Sequence, residues 1–183
     1  MKRTLIGILA LVGVVALALV STAGGTATQK GKGKPSKSAT PVFKLNLKTG
    51  QEVDPEVEGL KAKAGGHVTF DLTRNPAGAI TSGEVVFYFN YSFPGPVQIS
   101  GLHIHKGNKG QNGGIEIGAV LSAADSALDQ DGRGNVTSVV SGDPAKLQAI
   151  LDNPRGYYVN LHTTTPNFPA GAMRAQMHNP KKR

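Results

Sequence analysis

Five histidines and no cysteine bound the chemistry open to this 183-residue chain. Two of the histidines stand in Gly101-Leu102-His103-Ile104-His105-Lys106-Gly107. Read as a strand, that stretch alternates: Leu102 and Ile104 face one way, His103 and His105 the other. Same-face neighbours on a strand lie roughly 6.5–7 Å apart at Cα. Two imidazoles at that spacing reach one metal ion or join one hydrogen-bond network. A second stretch, Tyr158-Val159-Asn160-Leu161-His162, places Tyr158, Asn160 and His162 on one face, opposite Val159 and Leu161. A third, Met173-Arg174-Ala175-Gln176-Met177-His178, alternates apolar and polar without a break.

These stretches need neighbours to hold them, and the pattern supplies strands. Val42–Leu47, His67–Leu72, Gly83–Tyr91, Val97–His105, Ile115–Ile117 leading into Ala119–Leu121, Val136–Val140, Tyr158–His162 and a last strand ending at His178 all read as short strands. Between them lie an acidic segment from Glu52 to Glu58, turns at 74–78, 94–96 and 129–135, a Gly/Asn loop at 107–114 and a loop from Thr163 to Gly171. One helix interrupts the strands. Asp143 suits its N-cap, Pro144 its first position, and Asn153-Pro154 ends it. Many short strands, 24 Gly and 11 Pro predict an all-β, Greek-key-like antiparallel sandwich with one short helix.

The ends differ from this middle. Met1-Lys2-Arg3 precedes an unbroken apolar run of 16 residues, Leu5 to Val20, and small residues at 21–27 suit cleavage. Residues 1–27 therefore read as a secretory signal peptide, with an uncleaved membrane anchor as the alternative. Residues 28–40 form a basic, flexible linker, 41–178 the domain, and 179–183 a basic tail. The formal net charge of +8 belongs to these ends. Between Pro41 and Pro180 there are 11 Lys+Arg against 12 Asp+Glu, a net of −1. That balance argues against a nucleic-acid module and leaves the ends to contact anionic surfaces. Without cysteine there is no disulfide and no thiolate site, so an exported domain relies on its core and on any metal it holds.

The order Thr49-Gly50-Gln51-Glu52-Val53, Gly101–Gly107, Tyr158–Thr163 and Pro169-Ala170-Gly171-Ala172-Met173-Arg174-Ala175-Gln176 resembles the chordin-type (CHRD) domain over about residues 41–178. The resemblance implies an exported β-sandwich acting as a binding or structural module with an extracellular or cell-envelope partner, and no established catalysis. The same pieces are more distantly similar to the copper–zinc superoxide dismutase sandwich. That similarity implies His103, His105 and His162 as copper ligands and Arg174 as the arginine that guides an anionic substrate. The bridging and zinc histidines are missing, because no histidine lies between His105 and His162.

Two readings of the site follow. In one, the three histidines hold an ion, copper if it cycles between redox states, with Glu52, Asn160 and Gln176 supporting them from behind. In the other, no cofactor is held, His103 and His105 bond to Glu52, Asn160 or Gln176, and Arg174 pairs with a carboxylate. His178 is a further candidate ligand, and His67 reads as exposed. A binding module also predicts an exposed aromatic patch around Tyr88, Tyr91 and Phe93.

Overall fold

Alternating apolar residues bounded by Gly and Pro produce paired strands. The computed structural model describes residues 40–182, so the expected signal peptide and nearly all of the expected linker lie outside the described residues. Ten strands and one helix follow in order: β1 (Pro41–Lys48), β2 (Lys63–Arg74), β3 (Ile80–Ser92), β4 (Val97–Lys106), β5 (Ile115–Gly118), β6 (Leu128–Asp129), β7 (Arg133–Ser141), α1 (Pro144–Asp152), β8 (Tyr157–Thr165), β9 (Phe168–Gln176) and β10 (Lys181–Lys182). No helix among the described residues is long and apolar enough to cross a membrane.

The strands run β5-β4-β8-β9-β1-β2-β3-β7, with β6 beside β4 and β10 beside β1. Every pairing is antiparallel. One residue pair, Lys48 with Arg174, joins β1 to β9. The order divides there into two four-stranded halves. The chain crosses between them after β3, back after β6, and again through α1, so β4 neighbours β8 and β3 neighbours β7. The fold is all-β, as the strand pattern predicts.

One core lies between the halves. Phe43, Phe70, Phe87 and Phe89 come from one side, and Leu102, Ile104, Leu161 and Met173 from the other. The Phe43 and Phe70 rings stand 5.3 Å apart. Burying each such side chain contributes about 1.5–3 kcal/mol, and a one-residue slip would turn a whole set outward. That fixes the register on which the site depends. Asp143 caps α1 as expected, its Oδ1 accepting from the Ala145 and Lys146 amides at 3.0 Å, while Leu147 and Ile150 reach the core.

Three expectations change. The expected loop 163–171 is mostly a hairpin: Thr163-Thr164-Thr165 extends β8, and β9 begins at Phe168. Its β-branched residues favour pairing, and only the proline turn is irregular. Ala119–Leu121 is irregular, and Val120 stands 72% exposed, so no strand continues from β5. The expected aromatic patch reduces to half-buried Tyr88. Phe93 is 3% exposed, and Tyr91 turns its ring edge toward it, with its hydroxyl donating to Asp129 at 2.9 Å.

Candidate metal centre

The histidines meet because β4 and β8 are neighbours. Gly101 pairs with His162, His103 with Asn160 and His105 with Tyr158. Register shifts between Gln98 and Gly101 bend β4 just before the His-x-His pair, and such bulges re-aim the side chains that follow. His103 lies diagonally across from His162. Their ring centroids are 4.7 Å apart, and His105 stands 5.5 and 5.6 Å from the two. Gly101 makes the room. A Cβ there would sit 2.7 Å from His103 Cε1 and 3.4 Å from His162 Cδ2.

Backbone carbonyls orient two of the rings. His105 Nδ1 lies 3.0 Å from the Gly113 carbonyl, and His162 Nδ1 lies 3.0 Å from that of Pro169. A carbonyl only accepts, so both Nδ1 atoms donate and both Nε2 atoms carry the lone pair. Those two Nε2 atoms and His103 Nδ1 are buried without a hydrogen-bond partner. One ligand atom from each histidine lies within 4.8 Å of the others. Nitrogens bound to a shared ion at about 2.0–2.1 Å stand about 4 Å apart or closer, so a small inward adjustment of the rings suffices. Two buried lone pairs with no donor, beside a third buried and unpartnered ring nitrogen on His103, are costly, and a single cation could bind one nitrogen of each ring.

Burial also keeps the rings neutral. Burial lowers the His103 pKa to about 4, with His162 and His105 adding repulsion. Burial likewise lowers His105, opposed by its bond to Gly113, and lowers His162, opposed by its bond to Pro169. Neutral imidazole is the form that binds metal.

The expected supporting residues take other partners. Arg174 is 3% exposed. Its Nε donates to Gln51 O at 2.6 Å, and its Nη1 to Gln111 O at 3.1 Å and Asn112 Oδ1 at 2.9 Å. Asn112 Nδ2 in turn donates to the carbonyls of Val53 and Asp54. The guanidinium carbon lies 4.6 Å above the Tyr158 ring, and that ring stacks on His105 at 5.0 Å and 9°. Arg174 thus reaches His105 through Tyr158 and ties loop 107–114 to the turn after β1. Glu52 Oε2 is 3.8 Å from Arg174 Nε, whose hydrogen goes to Gln51 instead. Burial outweighs this attraction and raises the Glu52 pKa to about 7, Arg174 and Asn160 pulling the other way.

Asn160 Nδ2 donates to Ala170 O at 3.4 Å. Gln176 Nε2 faces the carbonyls of Gly107, Arg155 and Tyr157. None of Glu52, Asn160 and Gln176 hydrogen-bonds a histidine. The carbonyls of Gly113 and Pro169 fill that role, and backbone atoms carry no residue-type signal. His178 is exposed beyond β9, outside the cluster. His67 is half-buried, its ring 5.4 Å from Tyr88.

Comparison with curated proteins and with solved structures returned no match, so the likeness to the dismutase sandwich gains no support there. The family model of the CHRD domain matches residues 43–177, which takes in both site strands and most of the core. The chain belongs to the CHRD-domain family.

Proposed function

We propose that this CHRD-domain chain is exported and serves outside the cytoplasm as a binding module whose His103–His105–His162 centre holds one transition-metal ion. One observation carries the reading: each histidine buries a ring nitrogen without a partner, and one ligand nitrogen of each lies within 4.8 Å of the others across two adjacent strands. Three imidazoles with no carboxylate or thiolate among them suit copper, zinc or nickel, of which copper binds such a set most tightly. His105 and His162 come to the ion with their tautomers set by Gly113 and Pro169, and half-buried His103 closes the set. The bound ion would supply a Lewis-acidic centre and cross-link β4 to β8.

Superoxide turnover is not part of this reading. Arg174 is 3% exposed, with Nε and Nη1 committed to Gln51, Gln111 and Asn112, and burial rather than exhausted donors keeps it from guiding an incoming anion. Export rests on the apolar run from Leu5 to Val20 behind Lys2 and Arg3. The basic ends favour an anionic envelope surface over nucleic acid.

Copper loading of the full-length chain, followed by removal of free metal, tests the centre. About one copper per chain is expected, and loss of it in His103→Ala/His162→Ala. A metal-free wild-type protein would assign the histidines to the sheet alone.

A further inference from the structure

The other half of the sandwich carries a second feature, independent of the histidines. The outer face of β1, β2, β3 and β7 bears two transverse rows. The register Asn46–Gly65–Asn90–Asn135 forms one, and Lys48–Lys63–Ser92–Arg133 forms the next. Asparagine and glycine are poor strand residues, yet the first row consists of nothing else. Between the rows lies a groove of about 470 Å³, walled by Asn46, Lys48, Lys63 and Asn90 with Gly65 in its floor. Backbone geometry does not demand that glycine. A Cβ at Gly65 would meet only the end of the Asn46 side chain, at 3.2 Å. By contrast, a Cβ at its neighbour Gly66 would run into the Tyr88 backbone.

We infer that this face binds an acidic polysaccharide lying across the strands, its hydroxyls on the amide row and its carboxylates on the basic row. Each carboxamide offers two N–H donors to neighbouring sugar hydroxyls, and Asn46 and Asn135 also offer their oxygens, while that of Asn90 accepts from the Tyr88 hydroxyl at 3.2 Å. Strands repeat every 4.7–4.9 Å or so and the rows lie roughly 6.5–7 Å apart, so hydroxyls and carboxylates can be read along separate lines. Lys48, Lys63 and Arg133 form no ion pair among the described residues. Asp129 and Asp131, the carboxylates closest in sequence to Arg133, are engaged in their own turn. Asp71 and Glu84, which pair with each other across β2 and β3, lie at the far end of the sheet. Tyr88 and His67 lie tilted against each other at 33° beside the amide row, and the half-buried Tyr88 ring offers a surface for a sugar. A lipid surface would call for exposed apolar side chains, whereas Leu47 and Ala64 at the groove are buried, and a nucleic acid would call for a wider basic footprint.

Asn90 and Asn135 also head Asn-x-Ser/Thr sequences, so the test uses full-length protein from a host that does not glycosylate. A galacturonate oligosaccharide is titrated at low salt, beside a neutral glucan of equal length and inorganic polyphosphate. The acidic sugar should bind measurably and the glucan far more weakly. Lys48→Gln/Lys63→Gln should weaken the acidic sugar on the order of tenfold. Gly65→Thr fills the floor, suits a strand and leaves the charge unchanged, and it should weaken the sugar similarly. Thermal melting of each variant reports whether it folds. No binding by the wild type would overturn the proposal. So would binding that Gly65→Thr leaves unchanged and that polyphosphate matches, which is adsorption by charge alone.

Discussion

At the scale of single residues, the site is a balance between burial and protonation. His103, His105 and His162 all titrate below the ordinary histidine value of 6.5 because burial penalises the charged ring. A group whose pKa is lower folded than unfolded releases its proton on folding, so its stabilising effect is full above the unfolded pKa. It is lost as pH falls through the folded value. For the metal-free protein, the urea midpoint should therefore drop as pH falls from about 6.5 toward 4. His103→Gln should flatten that slope. Glu52 acts in the opposite sense. Its carboxyl, raised to about 7, is more readily protonated folded than unfolded, and its contribution fades as pH rises through that value. The slope in Glu52→Gln is the measurement that separates the two, since it removes the opposing carboxyl and keeps the three histidines. The histidines themselves were legible in the sequence from their spacing. Gly101 was visible as the residue two before His103, but its purpose, space for that ring, depends on a pairing with His162 that sequence does not display.

At the scale of elements, the legible parts were those with local causes. Alternation located the strands, and Asp143-Pro144 located α1. Asp143→Ala should cost about 1 kcal/mol in urea unfolding, because two amides lose their acceptor. What sequence left open was the partnership of loops. Arg174 was legible as a functional-looking cation, yet its contacts span the turn after β1 and loop 107–114, segments far from it in the chain. Through Asn112 and Tyr158 it holds the loop whose Gly113 carbonyl orients His105. Arg174 is therefore a positioning residue, and lysine cannot replace a planar fork that serves three acceptors. Arg174→Lys should lose roughly 2–3 kcal/mol of stability and on the order of tenfold in copper affinity. The imidazole nitrogen NMR signals of His105 should show its tautomer loosened while those of His162, held by Pro169, stay put. A structural role confined to stability would leave both tautomers alone.

At the scale of the whole molecule, the sheet order indicates what an ion at the proposed three-histidine centre would do for a chain without a disulfide. β4 and β8 are adjacent in space but separated in sequence by β5 to α1, so their pairing closes a long loop at an entropic cost that grows with its length. An ion held by ligands on both strands would oppose their separation and favour the folded state by mass action. Free copper at a hundred times its dissociation constant should stabilise the domain by about 2.7 kcal/mol. For a domain of this size that corresponds to a rise in melting temperature of roughly 5–10 °C. A chelator should reverse the rise. His162→Ala removes the β8 ligand and should abolish it, whereas Asp143→Ala, remote from the site, should lower the starting temperature and keep the full increment. If copper raised the melting point of His162→Ala as much as that of the wild type, the ion would be acting elsewhere on the chain, and β4 and β8 would be held by backbone pairing and core packing alone.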